Sequence, residues 1–273
     1  MVYLLAAIAN DAEYTPALLY ALGAELAVPE TPADADEIWG LGYYADNRAL
    51  IIRKPADLLP RRSFYELSPS VTSRVVLATI ERDPPGLEKS PPYRFRRWLF
   101  ASTGNLSPLE GMADRIQDKL PDFVRTDAAT KGGAGLAFGM FLAELHRGGL
   151  LDDPLSGAQP LAEALGRTAQ TIARLSTEAN HDPVAASYVA TNGKHLLVAG
   201  GGVRIYWKEQ RGLESLPEGP PDPALTDFKQ IAEALKRFRA IVIARDVGSS
   251  PGWTPIESGD LFHVGPNLQV TKV

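Results

Sequence analysis

The apolar positions of this chain follow two spacings, and the two alternate in blocks. Val2 to Ala9 is an unbroken apolar run, with Asp11 and Glu13 close behind it, which is the pattern of a strand buried on both faces. Short apolar or alternating runs bounded by Gly, Pro and Asn predict further strands at Ile38–Tyr44, Ala49–Arg53, Ser73–Ile80 and Phe95–Ala101. A second cluster holds Val184–Ala190, Lys194–Ala199, Val203–Trp207, Ala240–Ala244, Leu261–Val264 and Leu268–Val273.

Helical spacing appears within and between these clusters. Thr15 caps a predicted helix with Pro16 at its first position, and Leu18, Leu19, Leu22 and Leu26 share a face. Ser107-Pro108-Leu109-Glu110 has the form of a capping box and opens a helix through Met112, Ala113, Ile116 and Leu120. Gly135–Arg147 is the most apolar helix and stops at Gly148-Gly149. Leu161, Leu165, Ile172 and Leu175 mark a long one, and Phe228, Ile231, Leu235 and Phe238 a last one. The order is sheet, helices, sheet, with a helix interrupting each strand cluster. Two antiparallel sheets covered by helices satisfy it, as do other α+β arrangements. Asp83–Pro92 and Leu216–Pro223 read as surface loops, so residues 1–273 are expected to form a single domain.

Composition narrows the function. Of 273 residues, 45% are hydrophobic and 22% charged, as in an ordinary globular protein. A formal charge of −5 gives no reason to expect nucleic acid or an anionic membrane as partner. The absence of cysteine excludes disulfides, thiolate metal sites and cysteine nucleophiles. The apolar start is too short to span a membrane and has no basic stretch before it, so a cytoplasmic protein is expected. The abundance of Ala, Gly, Pro and Arg suggests a GC-rich bacterial source.

Catalytic and cofactor motifs are missing. The histidines, His146, His181, His195 and His263, lack ligand spacing, so no metal is expected. The glycine runs at Lys131–Gly135 and Gly200–Gly202 match neither a phosphate loop nor a dinucleotide fingerprint, so no cofactor is expected. There is no Gly-x-Ser-x-Gly elbow, and Gly248-Ser249 leaves too little chain behind it for a self-cleaved nucleophile. Arg94 and Arg96 share one strand face and read, with Arg97, as a solvated edge.

One segment does resemble a known site. Trp98-Leu99-Phe100-Ala101-Ser102-Thr103-Gly104-Asn105-Leu106 is similar to the oxyanion-hole segment of the class II glutamine amidotransferases, Trp-x-Phe-Ala-His-Asn-Gly-x-Leu. Further segments fall in that family's order: Trp39–Tyr44, Ile51–Pro55, Val75–Ala78, a late hairpin at Lys194–Tyr206 and a closing strand pair over Ala240–Val264. The resemblance implies the fold of the N-terminal nucleophile hydrolases, an α+β four-layer αββα sandwich of two mainly antiparallel sheets flanked by helices. Compact, stand-alone amidotransferase-like proteins, such as the ergothioneine-pathway amidohydrolases, share this form.

The same resemblance implies that the chemistry has been lost. The family's N-terminal cysteine is replaced by Val2, a hydrocarbon that can neither attack nor be deprotonated, and Met1 precedes it. The arginine that clamps the substrate carboxylate falls at Glu81, where a carboxylate repels a carboxylate, or at Arg82 if the loop slips by one; a plain exposed charge pair is the alternative. The oxyanion Asn-Gly becomes Thr103-Gly104 and the preceding His becomes Ser102. Losing one such donor typically costs about 3 kcal/mol of transition-state stabilisation. The family's amine ligand corresponds either to Asp127, in Thr126-Asp127-Ala128-Ala129, or to the ligand-free run Gly132-Gly133-Ala134-Gly135, whose spacing into the next helix fits better and leaves Asp127 a loop acid.

The expected role is therefore that of a catalytically inactive amidotransferase-like protein, a scaffold, regulator or subunit with a protein partner or a second copy of itself. Its contact surface would include Leu87 and Tyr93 at the old cleft mouth. One alternative is a small-molecule binder using that cleft, through Arg82, Thr103, Gly104, Asp127 or Gly133. Another is an amidohydrolase with a different nucleophile. A pocket with convergent polar groups favours the binder, and an exposed apolar patch favours the scaffold.

Overall fold

The computed structural model describes residues 2–23, 26, 36–59, 63–67, 69–178, 184–214, 216–219, 224, 227–247 and 251–273. Among the described residues, thirteen strands form two sheets. The first sheet is built from β1 (Val2–Ala9), β2 (Glu37–Ala45), β3 (Arg48–Pro55), β4 (Val75–Arg82), β9 (Ile205–Arg211), β10 (Arg239–Ala244) and β11 (Thr254–Ile256), in the order β11-β9-β10-β1-β4-β2-β3. The second contains β5 (Tyr93–Phe95), β6 (Trp98–Gly104), β7 (Ala186–Thr191), β8 (Leu196–Ala199), β12 (Leu261–Val264) and β13 (Val270–Lys272), in the order β13-β12-β8-β7-β6-β5. All neighbouring strands run antiparallel.

The sheets stack face to face, and helices cover both outer faces. Between them, Leu4, Ala6 and Ile8 of β1 meet Leu99, Ala101, Val189 and Val198. The alternate residues of β1, Tyr3, Leu5, Ala7 and Ala9, face outward onto α1 (Thr15–Gly23) and its Leu18, Leu19 and Leu22. Both faces of β1 are thus buried, which is why its sequence is uniformly apolar. On the far side, Trp98, Phe100 and Tyr188 pack against α5 (Gly132–Arg147) and α6 (Ala158–Glu178) through Phe138, Phe141, Leu165 and Ile172. The result is the expected four-layer αββα sandwich.

Several elements differ from the sequence reading. The strand expected over Phe95–Ala101 is a hairpin, β5–β6, turned at Arg96, whose φ of 52° is left-handed. Lys194–Tyr206 is not a hairpin: β8 and β9 lie in different sheets, and Gly200–Gly202 carries the chain across, while β8 pairs β7 and β12. The closing pair over Ala240–Val264 is also divided, with β10 and β11 flanking β9 and β12 in the other sheet. Two helices went unforeseen, α2 (Phe64–Leu67) and α4 (Asp122–Thr130), so Asp127 is helical and not a loop acid. The capping box does not close: Ser107–Met112 is a 3-10 turn leading into α3 (Ala113–Gln117), and Ser107 bonds Asn105 instead. Thr15, buried, donates its hydroxyl to the Ser73 carbonyl at 2.7 Å and so ties α1 to the first sheet. His181 and Gly248-Ser249 lie outside the described residues.

Candidate functional site

Where the sheets meet α4 and α5, a cleft of about 510 Å³ opens. The start of β1 and the end of β4 form one side, since Val2 stands opposite Glu81 in the register. Ser102 and Gly104 from β6 supply the floor, and Thr130, Lys131, Gly132 and Gly133 the far wall. Five of the candidate site residues therefore line one cleft, Val2, Glu81, Ser102, Gly104 and Gly133, and Tyr93, Gly132 and Ala134 border it too.

Three others stand elsewhere. Strand alternation sends Arg82 to the opposite face from Glu81, where its guanidinium pairs with Glu37 at 2.9 Å and lies 5.3 Å from the Tyr3 ring centre. Asp127 pairs with Lys131 one helical turn later, at 2.5 Å, outside the cleft lining. Thr103 is fully buried, and its hydroxyl donates to the Val2 carbonyl at 2.6 Å while accepting from Arg245 at 2.7 Å. That hydroxyl anchors β1 and is not aimed at the cleft.

Two glycines are fixed by close packing. A Cβ on Gly104, whose φ is 124°, would lie 2.1 Å from the Ala185 carbonyl oxygen. One on Gly133 would lie 2.0 Å from the Leu106 carbonyl oxygen. The Gly133 amide donates to Glu110 Oε1 at 3.1 Å, so the residue expected to cap its own helix serves the N-terminus of α5.

The electrostatics of the cleft are mixed. Glu81 and Glu110 contribute two carboxylates to the lining, Lys89 and Lys131 two ammonium groups. Glu81, next to last in β4, is half-buried, and its Oε2 has no hydrogen-bond partner. Burial pushes its carboxyl above the usual carboxylate range, against the opposing effects of Ser90 and Arg53. Tyr93 is buried, stacked 6.3 Å from Phe138, and therefore unavailable as the surface contact expected of it. Its phenol is pushed up by burial and by the Glu81 charge. Lys131 sits 5.8 Å from the Tyr93 ring centre.

The loop over 83–92 is held firmly. Arg53 donates to the carbonyls of Ser90 at 2.8 Å and Pro92 at 2.7 Å, and Thr79 donates to that of Pro91 at 2.7 Å. Among the described residues no histidine lines the cleft, so its hydroxyls, on Ser102, Ser107 and Thr130, have no imidazole base beside them. Glu110, Lys89, Lys131 and Arg245 were not singled out from the sequence. Only Glu110 carried a signal, as the last residue of the Ser107-Pro108-Leu109-Glu110 capping-box pattern, which points to a helix start and not to the cleft.

No protein-family model matches the sequence, and no curated protein does. Solved structures do resemble it. A glutamine aminotransferase class-II domain protein from Silicibacter pomeroyi superposes with a TM-score of 0.60 at 18% identity, covering 99% of this chain and 98% of that one. A protein described as a predicted glutamine amidotransferase from Pseudomonas aeruginosa gives 0.53 at 15% identity over 99% and 95%. The glutamine phosphoribosylpyrophosphate amidotransferase of B. subtilis gives 0.56 at 10% identity; 99% of this chain matches 48% of that one. The chain thus has the N-terminal nucleophile hydrolase-like fold of the class II glutamine amidotransferase-like structures.

Proposed function

We propose that this chain is a non-hydrolytic protein of amidotransferase-like fold that binds a small zwitterionic molecule in its cleft. The observation that carries the reading is the lining itself: Glu81, Glu110, Lys89 and Lys131, residues of both charges, border an open 510 Å³ space. The names of the similar structures point to glutamine chemistry. By the resemblance of the sequence, however, Val2 falls where that chemistry needs a nucleophile, and Glu81 where a substrate carboxylate would be clamped. The carboxylates of Glu81 and Glu110 favour a cationic nitrogen, and Lys89, with Lys131 already paired to Asp127, favours an anionic group.

The test is calorimetry and thermal shift with a panel of amino acids and related zwitterions, glutamine included, alongside an assay for ammonia. Thr130→Trp fills the cleft from an exposed position and leaves the core untouched. A ligand-induced rise in melting temperature that disappears in Thr130→Trp, with no ammonia from glutamine, is the expected result. Ammonia above a boiled control, or binding unaffected by Thr130→Trp, overturns the reading.

A second reading, a protein partner or second copy over the cleft mouth, draws support from Leu87, which is 43% exposed on the rim loop. The other large exposed apolar side chains, such as Tyr20, Leu58, Phe123 and Leu155, sit on separate elements. A bacterial cytoplasmic location belongs to either reading.

A further inference from the structure

At the far end of β6 from the cleft, the second sheet gathers polar atoms that no other group satisfies. Arg97 Nε, both ring nitrogens of His195 and Nδ1 of His263 are buried and have no hydrogen-bond partner. They are four of the six such side-chain atoms among the described residues, and they come from three segments far apart in sequence. The stretches that carry them, 69–178, 184–214 and 251–273, are described without a break. The length of β6, seven residues or roughly 20 Å, separates them from Gly104 and the cleft.

The fold brings the three side chains to the helix-covered side of the sheet. Phe262 and Val264 face the first sheet and Leu261 faces the helices, so His263 between them shares the side of Leu261. Asn192 Oδ1 accepts from the amides of Lys194 and His195 at 3.1 and 2.9 Å and fixes the turn that presents His195. That ring is 7% exposed and lies within electrostatic reach of both His263 and Arg97. Arg97 follows the left-handed residue Arg96, and its guanidinium lies 5.9 Å from the Trp98 ring centre.

The charge of Arg97 is unmatched as well. Arg96 beside it pairs with Asp152, whereas Arg97 forms no ion pair with any described carboxylate and donates from Nη2 to the neutral carbonyl of Asp153. The Asp153 carboxylate is within its field, but it accepts from the Leu155 amide and the Ser156 hydroxyl, each at 2.9 Å. Lys194, exposed at the rim, adds a second positive charge. A buried water could satisfy the free nitrogens but leaves the half-buried guanidinium without a counter-charge. The same two charges repel a metal cation from the imidazoles.

We infer that this cluster is a binding site for one small monovalent anion, the size of chloride or formate, held by the Arg97 Nε–H and the imidazoles of His195 and His263. One guanidinium charge calls for one negative charge, and donors closed off from water admit only a small ion. The site is independent of the zwitterion reading of the cleft.

The probes are sodium chloride and sodium formate, titrated into the full chain in a zwitterionic buffer. Ionic strength is held with sodium gluconate, whose anion is too bulky to enter. Side-chain NMR is expected to show saturable shifts of Arg97 Nε–H and of both imidazoles, with the melting temperature rising alongside. Burial, with Lys194, His263 and Arg97 nearby, holds the His195 pKa down to about 4 in the empty site, and a bound anion should move that midpoint upward. Arg97→Gln should weaken anion binding at least tenfold and His263→Gln at least threefold; if Arg97→Gln does not fold, the wild-type titration and His263→Gln decide. Thr130→Trp, which fills the cleft, should leave anion binding unchanged. Shifts that follow ionic strength alone, wild-type affinity in the folded Arg97→Gln or in His263→Gln, or saturable binding of zinc gluconate in place of either anion overturns the inference.

Discussion

Thr103 donates its hydroxyl hydrogen to the carbonyl of Val2 at 2.6 Å, and the same oxygen accepts from Arg245 at 2.7 Å. Arg245 also reaches the Val2 carbonyl, at 3.1 Å. The Thr103 hydroxyl is thus occupied in holding the first strand to the second sheet. Thr103→Val keeps the shape and removes both bonds, so it is expected to destabilise the fold by about 1–3 kcal/mol, since buried polar atoms lose a partner. Urea unfolding of the two proteins measures this directly. Equal midpoints and slopes would show that the contact contributes nothing.

Val2→Cys alone is expected to yield no glutaminase activity. Cysteine supplies a nucleophile, but Glu81 still faces the cleft and Gly132–Gly135 still offers no polar side chain to an amine. Proximity of nucleophile and substrate is worth little if the substrate is not held in the attacking pose. Glutamine-dependent ammonia release by the purified variant checks this, and turnover would mean that the cleft clamps the substrate by groups other than those at positions 81 and 132–135.

The layers of the fold were legible because burial on both faces leaves a direct trace in sequence. The run Val2–Ala9 is apolar throughout since Leu4 and Ile8 meet the second sheet while Leu5 and Ala7 meet α1. Sheet membership was not legible. Gly200–Gly202 looks like a hairpin turn from its residues, and only tertiary packing decides that β8 and β9 part there. Helix α4 escaped notice because only Val124 and Ala128 of it are buried, which is too thin a stripe to give a helical period. At the site, the order of motifs brought Val2, Glu81, Ser102, Gly104 and Gly133 together, but side-chain direction was beyond it. Arg82 and Thr103 differ from Glu81 and Ser102 by one residue, and in a strand one residue is the other face.

Glu81→Gln is expected to raise the melting temperature at neutral pH. The Glu81 carboxyl titrates above its ordinary value because it is buried, so the folded state holds that proton more tightly than the unfolded chain does. Its contribution is therefore favourable at low pH and declines as pH rises from the ordinary carboxylate value through the raised one. Glutamine has the same shape without the charge, so the gap between variant and wild type should be widest near pH 7 and close near pH 4. Melting curves at the two pH values check it; a gap that is the same at both, or reversed, would remove the buried charge as its cause.

His195 gives the opposite dependence. Its ring is 7% exposed, and neither nitrogen has a hydrogen-bond partner. Burial, with Lys194, His263 and Arg97 nearby, pulls its pKa down to about 4. The folded state therefore keeps the ring neutral where the unfolded chain would take up a proton. Below the ordinary histidine value of about 6.5, stability is expected to fall by up to about 1.4 kcal/mol for each pH unit, and the decline attributable to this ring ends near pH 4. His263, also lowered by burial, adds a smaller slope of the same sign. Replacing the ring by His195→Leu removes two buried, unpaired nitrogens, so the variant should be at least as stable as wild type at pH 7. Its stability should also vary less between pH 6.5 and 4. Chemical denaturation across that range decides the matter: an undiminished slope in His195→Leu would assign the acid sensitivity to other groups.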